Sequence, residues 1–216
     1  MSEELLDDEN IIDEEININN EERSLLLFFK NVKLFLLRQF VSETEINKWF
    51  PEKIKISEIK KSYLSIINKR FISEKYNHAI YLNIVLNRPY KNNEFKTTDK
   101  KDSQKEFFVF ISPKLKENKI IYDDKKNQHI FTFNYKYFLY DLFNNYLQPE
   151  IIYYRRGIDD NIIKDIEREY NTESDKFQIV FHNDIVSSYL LLEKNDIIKY
   201  ISETINFRIV KYNSNN

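Results

Sequence analysis

Lys60, Lys61, Lys69 and Arg70 fall within SETEINKWFPEKIKISEIKKSYLSIINKRFI, residues 42 to 72. Cations grouped on one helix neutralise phosphates, and a guanidinium can also bond a base edge at two points. A second set, Arg88, Lys96, Lys100 and Lys101, lies in NRPYKNNEFKTTDKKDSQK, residues 87 to 105, which holds six cations and three acids. The third set is Tyr153, Tyr154, Arg155 and Arg156. Rings next to guanidinium groups can stack on bases and clamp phosphates. The plainer reading is a strand end whose arginine stems lie along apolar surface.

Other chemistries find less support. His78, His129 and His182 are far apart in sequence and flank predicted strands, so each reads as a strand-end residue before a metal ligand. His182 and Asp184 could pair, but acid-base work also needs a cleft and a partner. Glu117, Asp123 and Lys125 are the one loose grouping a metal-dependent nuclease could use, against a turn as the ordinary reading. One glycine cannot make a phosphate-cradling loop, and no cysteine means no disulfide, thiolate metal site or cysteine nucleophile. The expectation is a non-enzymatic protein without metal or cofactor.

The elements that must hold these residues follow from periodicity. Ser42 with Glu45 three positions on is a capping box, so a short helix starts near Glu43 and ends before Pro51. A second helix from about Ser57 would put Ile59, Tyr63, Ile66, Ile67 and Phe71 on one side and the cations elsewhere. This order is that of a helix-turn-helix; an ordinary helical hairpin with a solvated lysine face reads the same way. RSLLLFFKNVKLFLLRQFV, residues 23 to 41, is a helix apolar around most of its circumference, hence one buried between layers or in an interface. HAIYLNIVL (78 to 86) and EFFVFIS (106 to 112) read as an antiparallel pair. The basic loop between them is then a wing, or simply a solvated hairpin tip. Strands are expected over 129 to 135, 151 to 156, 177 to 181 and 207 to 212. Helices are expected over 135 to 147, from Asp159 or Asp160 to Tyr170, over 183 to 192, and over 195 to 205. Gly157 is expected at positive φ.

Composition bounds the class. The chain has 216 residues, 42% hydrophobic and 15% aromatic, enough for a real core. Ile, Asn, Lys, Tyr and Phe abound while Gly and Pro are scarce, which points to an AT-rich genome. No run of about 18 apolar residues exists, so no membrane span is expected, and the acidic start lacks a signal peptide's basic end. An intracellular, soluble (cytoplasmic) protein is the expectation. The formal charge of −2 hides an asymmetry. Residues 1 to 22 hold ten acids and no Lys or Arg, leaving 33 cations against 25 acids over 23 to 216, about +8. An acidic, disordered tail on a basic body is expected, acting as a polyanion mimic, a docking segment or a solubiliser.

Two segments carry a resemblance. FVFISPKL (108 to 115) with FTFNYKYFLYDLFNNY (131 to 146), and NDIIKYISETINFRIVKY (195 to 212), resemble the plasmid replication initiators built from tandem winged helices. Tyr135, Leu139, Tyr140, Phe143 and Tyr146 stand in places comparable to that family's linking helix. Glu203, Thr204, Ile205 and Asn206 interrupt its Glu-Ile-Asn step, and residues 148 to 182 are an insertion relative to it. The resemblance implies DNA as ligand and a role in replication or transcription.

The resulting expectation is an α+β fold of short helices with small antiparallel sheets, tandem winged-helix-like. It has a tail over 1–22, a helix-turn-helix or winged-helix subdomain over 23–134, and an α+β subdomain over 135–216. The expected function is nucleic-acid binding through Lys60, Lys61, Lys69, Arg70, Arg88, Lys96, Lys100, Lys101, Arg155 and Arg156. The alternative is a structural or assembly subunit acting through protein-protein contacts, as a homo-oligomer or in a larger complex.

Overall fold

The computed structural model describes residues 20–50, 67–86, 104–113, 120–123, 127–143 and 149–212. Among the described residues two small sheets and four α-helices make an α+β fold. The first sheet has β1 (Ile67–Ile72), β2 (Ala79–Ile84), β3 (Glu106–Ser112), β4 (Ile120–Asp123) and β5 (Gln128–Asn134) in the order β1-β2-β3-β5-β4. The second has β6 (Glu150–Tyr154), β7 (Gln178–Phe181), β8 (Ile197–Ile201) and β9 (Ile205–Lys211) in the order β6-β8-β9-β7.

Four expectations fail here. β2 and β3 pair in parallel, as do β3 and β5, so the sheet is mixed and residues 78 to 112 make no antiparallel wing. A long connection permits a parallel crossover as readily as a hairpin, and β3, buried along its whole length, suits a central strand. Ile67 to Ile72 is strand β1, antiparallel to β2, so the basic helix does not extend through Lys69 and Arg70. Residues 195 to 205 are not a helix: Asn195 sits at φ 71, and Ile197–Ile201 is central strand β8. Of the helix read over 135 to 147, the described part is a single 3-10 turn, Tyr135–Phe138, after which Leu139 to Phe143 are non-helical, and 144 to 147 lie outside the described residues. The acidic tail, residues 1 to 19 of it, lies outside the described residues, as do 51 to 66 of the second helix.

Other readings match the structure. Helix α1 (Asn20–Arg38) is followed by α2 (Glu43–Trp49), whose cap Ser42 Oγ accepts from the Glu45 N–H at 3.3 Å. α3 (Asp160–Glu169) follows Gly157 at φ 87, and Gly157 donates its N–H to Asp160 Oδ1 at 2.8 Å. α4 (Ile185–Tyr189) is capped by Asp184, which accepts from the Val186 N–H at 2.9 Å.

α1 is apolar around most of its circumference because one broad side of it lies in the core. Phe28, Phe29, Val32, Phe35 and Leu36 are buried in one cluster with Phe107, Phe131 and Phe133 of the first sheet and Val180, Ile198 and Val210 of the second. Side chains from both sides of residue 134 therefore share a single core. A smaller cluster, Ile163 and Ile166 of α3 against Ile197, Phe207 and Ile209, covers the other face of the second sheet.

With one glycine in the chain, other residues must take left-handed conformations. α1 ends with Phe40 at φ 58, donating to Leu37 O, while Val41 donates to Leu36 O. Asn171 after α3 and Leu191 after α4 repeat the same pair of bonds. These are Schellman ends built without glycine.

Candidate functional site

Three places bear on function: a charged seam between the sheets, a basic-aromatic patch, and an apolar sheet edge.

The seam is centred on Arg155, directly after β6. Although a guanidinium is normally solvated, Arg155 is 4% exposed. Its Nη2 donates to Leu191 O at 3.1 Å, its Nη1 lies 3.7 Å from Asp196 Oδ2, and its guanidinium carbon stands 4.8 Å from the Tyr76 ring centre and 5.3 Å from that of Phe107. Asp196 also accepts from the Arg156 N–H at 3.1 Å and the Glu193 N–H at 2.9 Å. Burial nevertheless pushes its carboxyl up to about 6, against the pull of Arg155. Asp159 accepts from the Arg155 N–H at 2.8 Å and the Tyr76 hydroxyl at 3.2 Å, and pairs with Lys75 at 3.3 Å. His78 stacks on Tyr76 and meets Phe107 edge-on, and burial lowers its pKa to about 2, so it is neutral. Beside the seam Glu193 pairs with Lys105 and, at 3.3 Å, with His129, at the wall of a cleft of about 270 Å³ that Lys194, Asn195 and Tyr212 also line. Each acid in the seam answers a cation, so its chemistry is that of a joint between sheets. Among the described residues no three His, Asp or Glu stand close enough to hold a metal.

Arg155 thus faces inward with its guanidinium buried, unlike both sequence readings, since an arginine whose stem lies along apolar surface keeps its charged head in water. Arg156 is half-exposed but engaged: it donates to Ser174 Oγ at 2.6 Å and lies 3.9 Å from Asp160 and 4.0 Å from Glu167. Lys69 and Arg70 lie on β1. Lys69 sits 3.5 Å over the ring of Trp49, itself 38% exposed, with Lys48 at 5.9 Å. Arg70 donates to Tyr81 Oη at 3.2 Å and Gln104 Oε1 at 2.9 Å. The structure brings Lys69 onto Trp49, turns Arg70 away to Tyr81 and Gln104, and keeps Arg155 and Arg156 in the seam. Lys60, Lys61, Arg88, Lys96, Lys100 and Lys101 lie outside the described residues, as do Glu117 and Lys125. Asp123 ends β4.

The apolar edge is β7, Gln178-Ile179-Val180-Phe181, outermost strand of the second sheet. Val180 points into the main core, while Ile179 is 57% exposed and Phe181 48%. Both point to the face carrying α3, whose cluster covers Ile209 but leaves Ile179 open. Sequence reading missed the edge, since which strand is outermost depends on pairing order, and it missed Asp196 and Glu193 because it put them in or before a helix. No known family model matches this chain, and no curated protein matches it. Among the described residues no helix is long and apolar enough to cross a membrane.

Proposed function

We propose that this chain is an assembly subunit, a non-enzymatic module that works through protein-protein contacts. The observation that carries this is the exposure of Ile179 and Phe181 side by side on an outermost strand. Isolated exposed apolar side chains are ordinary. Two on one face of an open strand edge are a liability unless a partner covers them. The seam agrees with this reading: the pairs Lys75 with Asp159 and Lys105 with Glu193 tie the two sheets together, as a presenting scaffold requires. The test is the size of the native chain in gently lysed cells. It should elute well above the mass of one chain, and Ile179→Lys with Phe181→Lys should return it to that mass. A native chain eluting alone contradicts the reading.

A second reading, the one implied by the resemblance to replication initiators, rests on Trp49 between Lys48 and Lys69. An exposed ring flanked by cations is a platform for a nucleobase and its phosphate. Under it Lys69→Ala should lower the slope of log affinity on log salt by about 1, and Trp49→Ala should weaken single-stranded DNA by about 1–3 kcal/mol. DNA affinity indifferent to both changes would dismiss this reading.

A further inference from the structure

We infer that the open edge of β7 is a strand-addition site, which takes an extended segment of a different protein as a fifth strand of the second sheet. The inference rests on the assembly reading and names its contact.

Backbone polarity fixes which groups are offered. The His182 N–H donates to Lys211 O at 3.0 Å, toward β9. Because successive residues of a strand point their amides to opposite sides, Gln178 and Val180 also face β9, and Ile179 and Phe181 turn theirs outward. The residues with outward-turned backbone groups are thus the same two that carry the exposed apolar side chains. Phe181 O already accepts from the Asp184 N–H at 3.0 Å, so an incoming strand can bond the backbone of Ile179 and the N–H of Phe181 while packing on both side chains, which is the mode by which edges capture peptides.

The four sheet edges differ in protection. β1 carries Lys69 and Arg70, β4 ends on Asp123, and β6 begins with Glu150. β7 holds no charge, no proline and no glycine. Charges on an outer strand are how proteins discourage added strands, and among the described residues β7 alone of these four edge strands lacks one.

A second copy of this chain fits poorly. β7 is four residues long, closed off by the 3-10 turn Ser174–Lys176 on one side and by the turn into α4 on the other. Two rigid copies meeting there would share little more than Ile179 and Phe181. Those half-exposed side chains offer on the order of 200 Å², against roughly 800 Å² per partner in a stable interface. An extended segment is not so limited. Past the strand it can bend onto Tyr170 at the end of α3, 40% exposed, whose ring meets Phe207 of the neighbouring strand β9. The occupant is therefore a strand-forming segment with apolar side chains at alternate positions.

The experiment uses the full chain and a capped octapeptide alternating threonine with valine or phenylalanine, followed by amide hydrogen exchange. At saturating peptide the Ile179 and Phe181 amides should slow at least tenfold, while Gln178 and Val180, already bonded to β9, should not change. A peptide N-methylated along one edge should not bind. Ile179→Lys with Phe181→Lys should weaken the octapeptide at least tenfold at an unchanged urea midpoint. Equal binding of the N-methylated peptide, or no slowing at Ile179 and Phe181 at millimolar peptide, overturns the inference. So does slowing that grows with protein concentration alone, which would give the edge to a second copy. If these fail while the native chain still elutes in a complex, strand addition falls and the assembly reading survives with its contact elsewhere.

Discussion

Arg155 and Asp196 meet 3.7 Å apart with 4% and 2% exposure, so a full ion pair lies at the joint between the two sheets. Such a pair adds little over a well-packed apolar one, but breaking it strands a buried charge. Asp196→Ala should cost about 3–5 kcal/mol in urea unfolding at pH 7. A loss under about 1 kcal/mol would mean Arg155 is satisfied without it.

Two buried groups oppose each other in pH dependence. The Asp196 carboxyl is raised by burial from 3.8 to about 6, so the folded state holds a proton that the unfolded state has released between those values. Its contribution to stability falls as pH rises through that window. His78 is lowered from 6.5 to about 2, so the unfolded state binds the extra proton. Its contribution falls as pH drops below about 6.5. Each slope is about 1.4 kcal/mol per pH unit and their signs are opposite, so between about pH 4 and 6 they offset each other. His78→Phe should expose the Asp196 slope, making the variant more stable at pH 4.5 than at pH 6. Equal stability at the two pH values would contradict this assignment.

The packing of α1 separates core from surface. The Phe35 ring lies 5.8 Å from Phe138 and 5.1 Å from Tyr189, both edge-on, and is fully buried. Phe35→Ala should cost about 3–5 kcal/mol. Leu37, two positions on and 40% exposed, should tolerate Asp within about 0.5 kcal/mol of wild type. Thermal melts of the two variants check both, and similar losses would mean the exposed side of α1 is also buried.

What could be read from the sequence was local. The Ser42 box, the Asp184 cap and the positive φ of Gly157 each depend on a few neighbouring residues, and the structure has all three. Pairing was not legible. Ile197–Ile201 has apolar residues that suit a helix or a buried strand, and its antiparallel partner β9 settles which. The long connection between β2 and β3 hid their parallel direction. Tyr153 to Arg156 stood out as a dense cluster, but the partner that turns Arg155 inward, Asp196, is some forty residues away. Exposure at β7 is a consequence of sheet order, which no local pattern encodes.

The glycine-poor helix ends give a stability test. Asn171 sits at φ 46 after α3 and is exposed, so little but backbone strain distinguishes residues there. Asn171→Gly should stabilise by up to about 1 kcal/mol, and Asn171→Val should destabilise by a similar amount. Urea midpoints that do not move in these directions would argue against the left-handed end.

The proposed contact surface is formed by Ile179 and Phe181. A photo-crosslinking residue at position 181, in the full chain expressed in its native cells, tests it most directly. One discrete adduct of fixed stoichiometry with another protein is expected, lost when Ile179→Lys is added and not reproduced from Tyr140, which is 52% exposed. No adduct from position 181, or the same adducts from both positions, would contradict it.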